Sequence, residues 1–416
     1  MLTRLNIIKR ELSSFTSKEK IFVFLAMLSV FLIAGEYSIT RPASNSIFIS
    51  VFSTKFFPFV WLCTVPVNLL IISLYNRFLP KFGCKKIFFT AVIAVITVNS
   101  ITALLHSYYP QIIFFQFIFK DIYILLMFKQ LWSLIHCTIP KEKAKYLYGA
   151  IFGMGGIGSI IGSFLPSFFA VHIGSSNLFY STIPIYLLIF FLYLLAYNRS
   201  CYGSQKLDLS PDKKAFQSVF QSKYLKSILF LVVFMQISIA LTDFQFNSFI
   251  EWKITDQDLR TEFCGKIVGL INILTFTFQF IGGFMLTRFL GIRKSHLLIP
   301  FILLGNSSLS LLFPTFSVVS YSLISIKTVD YSLFGIVREF LYTPLSSSEK
   351  FQAKAVIDVF AYRTSKAVAS FIVIALQAFS ITYLVSYVSI ILIFLCTLWI
   401  FTVTKLFRLE KAASLD

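Results

Sequence analysis

The sequence predicts an all-α polytopic membrane protein of twelve transmembrane helices, and three observations predict it. The first is apolarity. Of 416 residues 57% are hydrophobic and the mean hydropathy is +0.81, where a soluble globule is roughly 45–50% apolar. The second is division into runs of about 20 apolar residues, each long enough to cross a roughly 30 Å hydrocarbon core. The third is charge placement. Of the 37 Lys and Arg, 26 fall on alternate polar segments, whereas the intervening ones carry only Arg41, Lys55, Lys253, Arg260 and Lys266. Positive charge collects on the inner side of a membrane, so this bias puts both termini in the cytoplasm.

The elements follow in order. Residues 1–20 are basic and polar, and the apolar run after them lacks a small-residue cleavage site, so it reads as the first span and not as a signal peptide. The twelve spans are expected near 21–40, 56–76, 86–106, 111–136, 148–171, 178–197, 226–250, 265–287, 295–313, 317–342, 355–376 and 382–404. The polar segment 198–225 falls midway and reads as a linker between six-helix bundles at 21–197 and 226–404, with a short tail at 405–416. The halves echo each other. RFLPKFGCKK (Arg77–Lys86) follows span two and RFLGIRK (Arg288–Lys294) follows span eight; EKAK (Glu142–Lys145) precedes span five and EKFQAK (Glu349–Lys354) precedes span eleven. Both echoes have an offset of roughly 210 residues. Equal halves in the same orientation make a pseudo-twofold parallel repeat, the design of major facilitator transporters.

Within the spans, three patterns stand out. Span five carries Gly149, Gly153, Gly155, Gly156, Gly158 and Gly162. Small residues four apart let helix backbones approach closely, either as ordinary tight packing or as a sliding face between the halves. Span seven sets Gln236, Asp243 and Asn247 on one helical face, and span eight does the same with Asn272, Thr275 and Gln279. Such stripes fit a wetted cavity or interhelical hydrogen bonds. The third pattern is ionic. Lys120, Lys129, Lys327, Arg338, Arg363 and Lys366, with Arg41, share the spans with Glu36, Asp121, Asp243, Asp330, Glu339 and Asp358. A charge at the centre of a membrane helix costs roughly 2.5–3.5 kcal/mol on insertion scales. These groups must therefore face protein or water, either as neutralising pairs or as walls of a solute path. Arg and Lys facing a cavity would clasp an anion, Arg by paired donors and Lys as a point charge.

Other function classes lose support. The net charge of +19 is accounted for by topology, which removes the nucleic-acid reading. Six scattered cysteines (Cys63, Cys84, Cys137, Cys201, Cys264, Cys396) show no metal-binding or disulfide spacing. Four histidines (His106, His136, His172, His296) have no nucleophile or carboxylate at recognisable spacing, so neither an enzyme nor a metal site is expected. Gly153–Gly158 mimics a dinucleotide loop but has no strand before it, and a phosphate-loop motif for ATP hydrolysis is absent. No cofactor is expected.

The residues also carry a family resemblance. Arg338-Glu339 with LYTPLSSSEKFQAKAVIDV after it resembles the Lys-Glu, Tyr-x-Pro-Leu and Lys-Ala-x-x-Asp-Val run of the ATP/ADP translocases, the nucleotide transporters of intracellular bacteria and plastids. LTDFQFN (Leu241–Asn247) is similar to that family's acidic segment, with Asp243 at the glutamate position. EFCGK (Glu262–Lys266) resembles its helix-eight start, and Lys366 falls on its helix-eleven lysine. Two departures stand beside these matches. In YSITRPASNS (Tyr37–Ser46) the family's pattern holds to Arg41, but Ser44 and Asn45 occupy its Lys-Asp positions. In DYSLFG, Asp330 and Gly335 replace both charged members. Two phosphate-facing contacts implied by the family would thus be lost, each worth about 1.5–3 kcal/mol as a charge-assisted bond.

The combined expectation is a monomeric secondary transporter in a bacterial inner (plasma) membrane, working by alternating access on a small anionic solute, nucleotide-like or otherwise phosphate-bearing. Arg41, Asp243, Asn247, Arg338, Arg363 and Lys366 are the expected binding residues. Asp121, Lys327, Asp330, Glu339 and Asp358 are expected in coupling or gating. A proton-coupled carrier of a different organic solute is the alternative, with Asp243 or Asp121 titrating; a non-transporting membrane scaffold or sensor is a third.

Overall fold

The computed structural model describes residues 15–139, 141–200, 219–285, 289–343, 345, 353–354, 356–357, 361–379 and 384–413. Among them the regular elements are all helical: α1 (Ser17–Phe52), α2 (Phe57–Leu105), α3 (Gln111–Thr138), α4 (Lys141–Ile173), α5 (Thr182–Tyr197), α6 (Lys223–Lys253), α7 (Gln257–Met285), α8 (Gly291–Leu312), α9 (Phe316–Val329), α10 (Gly335–Leu341), α11 (Tyr362–Phe379) and α12 (Leu384–Ala413). A π-helical turn at Asp330–Phe334 joins α9 to α10. Among the described residues nine stretches are long and apolar enough to cross a membrane, and one of them, Thr54–Leu105, contains two predicted spans. With α9–α10 and with α11, they account for all twelve predicted segments.

Local chemistry sets the helix ends. Thr16 and Glu19 form a reciprocal box at the start of α1: the Glu19 amide donates to Thr16 Oγ1 at 3.3 Å, and the Thr16 amide donates to Glu19 Oε2 at 2.8 Å. Two otherwise orphaned amides are thereby satisfied. α1 runs well past the predicted edge, through Pro42 to Phe52. Arg41 therefore lies inside a helix and not on an outer loop, because proline's lost amide is tolerated where packed neighbours satisfy the freed backbone.

The two echoed loops turn on the same device. Gly83 bends α2 at φ 75° and ψ 161°, and Gly291 opens α8 at φ 71°. Side chains rarely adopt either conformation. Nothing crowds either site, so Gly83→Ala should cost only the backbone strain, about 1–3 kcal/mol. Thermal unfolding of the purified variant checks this; an unchanged melting temperature would show that the bend does not need glycine.

The contacts divide the chain into two units. One comprises Met1–Val51, Val67–Leu209 and Asp256–Gly269; the other comprises Phe52–Pro66, Ser210–Thr255 and Leu270–Asp416. The first has a core of Phe22, Ile33, Phe88, Tyr123, Met127 and Tyr193, with Phe88 and Tyr193 stacked at 3.7 Å between centroids. In the second, α6 packs against α9, α11 and α12, and Phe334 meets Trp399 edge-on at 5.7 Å.

The glycines of α4 explain how the first unit closes. A Cβ on Gly158 would overlap the backbone at Phe31, one on Gly162 would overlap the backbone at Gly35, and one on Gly155 would come within 2.8 Å of Val30. Helices α1 and α4 thus cross backbone to backbone. The first half of α7 uses the same chemistry: a Cβ on Gly265 would lie 2.8 Å from the Ser167 amide, and one on Gly269 would lie 2.9 Å from Ser163 Oγ. In lipid, where helices gain nothing hydrophobic by meeting, such approach supplies the association energy. The glycine stripe is tight packing.

Candidate functional site

The second unit holds an ionic contact inside a span. Lys327 on α9 reaches Asp243 on α6 at 2.5 Å; the lysine side chain is 6% exposed and the aspartate 23%. Asn247, one turn further along α6, folds back instead: its Nδ2 donates to the Asp243 backbone carbonyl at 2.7 Å. Gln236, at the other end of the same stripe, donates to Asp330 at 3.4 Å. Asp330 opens the π-helical turn, a local widening that recurs at functional positions in helices. Arg338 lies over the Phe334 ring at 5.9 Å. Lys366, half-buried on α11, has its ammonium 5.8 Å from the centre of the Trp61 ring. Glu339 pairs with Lys354 at 2.7 Å, with both side chains more than a third exposed. That pair adds at most about 1 kcal/mol.

In the first unit a cavity of ≈ 320 Å³ opens among α1, α3 and α4, within the size range of small-molecule sites. Aromatic rings wall it (Tyr37, Phe128, Trp132, Phe152) and Gly155, Gly156 and Ser159 form its small-residue side. Trp132 and Phe152 lie 4.8 Å apart. Tyr37 connects this cavity to charge. Its hydroxyl donates to Asp121 at 3.3 Å, and the Arg41 guanidinium lies over its ring at 5.8 Å.

Two further groups in this unit went unassigned on sequence grounds. Lys120 is 2% exposed and donates to Asn45 Oδ1 at 2.6 Å and to Ser44 Oγ at 3.2 Å, with its ammonium 3.4 Å above the Phe117 ring. The two positions where a Lys-Asp pair was absent are therefore the ones that a lysine from α3 reaches. Glu36 is fully buried, and its carboxyl accepts from Tyr123 at 3.1 Å and from Thr182 at 3.3 Å. Its partners are hydroxyls.

The predicted residues thus separate into distinct settings. Asp243 and Lys327 form one contact, with Asp330 within electrostatic reach of Lys327 and Arg338; Arg41 and Asp121 meet through Tyr37, and Glu339 pairs with Lys354. Asp358 and the Arg363 side chain lie outside the described residues. The α7 stripe also divides: Gln279 donates to the Tyr331 carbonyl at 2.8 Å, while the Thr275 hydroxyl is buried without a hydrogen-bond partner.

Comparison with known proteins adds to this geometry. A family model described as the TLC ATP/ADP transporter matches residues 192–323 and 307–409, which is half of the chain. The chain belongs to the TLC ATP/ADP transporter family. An ADP,ATP carrier protein 1 from Chlamydia pneumoniae is 27% identical to this TLC-family chain over 227 residues, covering 49% of the chain and 44% of the relative. ADP,ATP carrier protein 3 from Rickettsia bellii is 26% identical over 215 residues, covering 46% and 42%. The chain therefore spans less than half the length of the curated relatives it matches. Among solved structures, the nucleoside transporter NupG superposes with a TM-score of 0.68 at 14% identity over 94% of this chain and 100% of that one. A bacterial homologue of the iron transporter ferroportin gives 0.66 at 12% identity, over 92% and 98%. At such identities the likeness concerns the fold, which is the all-α major facilitator type that the internal echo predicts.

Proposed function

We propose that this TLC-family chain is a secondary transporter of the bacterial inner membrane, carrying a nucleotide-like or related phosphate-bearing anion by alternating access. One observation carries the reading: the aromatic-walled cavity of ≈ 320 Å³ whose wall residue Tyr37 also contacts Arg41 and Asp121. Flat rings on one side suit a planar base, because every base presents a face for stacking, and aromatic stacking of a base is worth about 1–3 kcal/mol. The cation beside it suits an anionic group. The second unit, taken by itself, carries Lys327, Arg338 and Lys366 on its helices, with Lys327 paired to Asp243.

Uptake of labelled ADP by cells expressing the chain tests the reading. Trp132→Ala and Lys366→Ala are each expected to lower uptake about tenfold, equivalent to about 1.4 kcal/mol, with membrane levels unchanged. Normal uptake in Lys366→Ala removes that lysine from the site; normal uptake in both variants removes the nucleotide reading.

Glu36 favours one alternative. A fully buried carboxyl held by hydroxyls is a natural seat for a coupled proton in a carrier of a different organic solute. Uptake that follows an imposed proton gradient, ignores nucleotide competitors and fails in Glu36→Gln supports that alternative.

A further inference from the structure

The first unit holds a buried carboxyl whose surroundings suit two protonation states. Glu36 and Thr40 from α1, Asn99 from α2, Gln116 from α3 and Thr182 from α5 are each 0% exposed, and Ser44, Tyr123 and Lys120 are buried with them. These side chains form two hydrogen-bonded arms that meet at Glu36. One arm has a fixed sense. Lys120 donates to Ser44 Oγ at 3.2 Å, Ser44 to Gln116 Oε1 at 2.6 Å, and Gln116 to Asn99 Oδ1 at 3.1 Å. Asn99 then donates to Thr182 Oγ1 at 3.2 Å, and Thr182 to Glu36 Oε1 at 3.3 Å. An ammonium can only donate, so every link is turned towards the carboxyl. Hydrogen bonds in such a chain polarise one another, which extends the influence of Lys120 to Glu36 across four intervening side chains.

The other arm is reversible. The Tyr123 hydroxyl lies 3.1 Å from Glu36 Oε1, 3.3 Å from Oε2 and 3.1 Å from Thr40 Oγ1, which in turn lies 3.2 Å from the Glu36 backbone carbonyl. A hydroxyl both donates and accepts. With Glu36 ionised, Thr40 donates to Tyr123 and Tyr123 to the carboxylate. With a proton on Oε2, the carboxyl donates to Tyr123, Tyr123 to Thr40, and Thr40 to the backbone carbonyl. Both arrangements satisfy every group on the arm. A lysine or arginine in place of Tyr123 would suit only the first. Among the described residues, the titratable groups facing Glu36 are the phenols of Tyr123 on α3 and Tyr186 on α5, while α2 presents the uncharged Asn99. The Tyr186 hydroxyl is buried without a hydrogen-bond partner.

We propose that Glu36 takes up a proton that travels with the anion, and that Lys120 is a positioning residue that orders the fixed arm. The chain is then a proton symporter of its own solute. This rests on the anion reading above, and differs from the alternative given there, in which the proton accompanies a different solute. An inside-negative membrane potential opposes the entry of an anion, and each proton carried along removes one charge from the load. A carboxyl that is fully hydrogen-bonded with its proton or without it can gain and lose that proton while the helices around it stay packed. Ionisable groups inside membrane spans commonly serve as such relays.

Proteoliposomes containing the purified full chain provide the test, with labelled ADP accumulation measured with and without an imposed inward proton gradient. Counterflow of ADP against ADP at equal pH is measured beside it. In wild type a gradient of about one pH unit is expected to raise accumulation by up to about tenfold, the limit for one proton per solute, and a protonophore should abolish the gain. Glu36→Gln, whose amide keeps the shape and hydrogen-bonding capacity of the protonated acid, should lose the gain. Tyr123→Phe, which removes the reversible hydroxyl, should lose most of it. Lys120→Met should move the external pH at which the gain is half-maximal, a change that loss of packing alone does not produce. Wild-type counterflow with no response to the gradient overturns the proposal and leaves the anion reading standing. A full gain in both Glu36→Gln and Tyr123→Phe places the proton elsewhere and likewise overturns it. Absence of counterflow in wild type removes the anion reading and the proposal together.

Discussion

Gly162→Ala is expected to lower the melting temperature of the purified protein by several degrees, and Gly158→Leu to prevent its accumulation in the membrane. At both positions an added Cβ would occupy the space of the α1 backbone, at Gly35 and at Phe31. The obstacle is main chain within a helix, which cannot rotate aside as a side chain does, so α1 and α4 must separate. Overpacking of this kind costs about 1–3 kcal/mol, occasionally more, and the loss is compounded because close approach is itself what holds the two helices together. Gly149→Ala, on the same helix, is the control. Nothing lies within 4 Å of its added Cβ, so that variant should match wild type or exceed it, since alanine is the better helix former by about 0.5–1 kcal/mol. Equal melting of Gly162→Ala and Gly149→Ala would contradict the proposed helix crossing.

The second large effect is expected at the Asp243–Lys327 pair, and it should be asymmetric. Removing one member of a buried pair leaves an uncompensated charge and costs about 3–5 kcal/mol. The lysine side chain is 6% exposed and the aspartate 23%. Asp243→Ala leaves the deeply buried ammonium only its attraction to Asp330, whereas Lys327→Ala leaves a carboxylate that water can reach. Asp243→Ala should therefore destabilise the protein more than Lys327→Ala. Asp243→Ala with Lys327→Met should recover most of the stability, because the cation is then gone. Chemical-denaturant or thermal scans of the four proteins provide the comparison. If the double variant is no more stable than Asp243→Ala, the pair is not the electrostatic unit described.

Much of the architecture was legible in the sequence because a bilayer imposes simple rules. Apolar run length gave the spans, and the echo of Arg-Phe-Leu and glycine correctly marked two turns that rest on positive-φ glycines at Gly83 and Gly291. Partners were less legible. Helical spacing puts Gln236, Asp243 and Asn247 on one face of α6, yet each has a different role: Gln236 holds Asp330, Asp243 holds Lys327, and Asn247 binds its own helix. Periodicity reports which way a side chain points, and a partner 84 residues away depends on how whole helices cross. The same limit hid the partners of Lys120, which reaches Ser44 and Asn45 from another helix, so that reading α1 alone registered a missing cation. The aromatic cavity was hidden for a related reason: rings at helical spacing look like core until the helices leave space between them. Asp330 is different again. The π-helical turn re-aims it, and a period of 3.6 residues does not anticipate that widening.

Transport of charge is the central claim, and proteoliposomes containing the purified chain test it most directly. Labelled ADP should enter by a saturable process that unlabelled ADP and ATP compete away and that adenosine, with the same base and sugar but no phosphate, leaves largely intact. Competition by adenosine as strong as that by ADP, or no saturable entry of any phosphorylated nucleoside, would contradict the account.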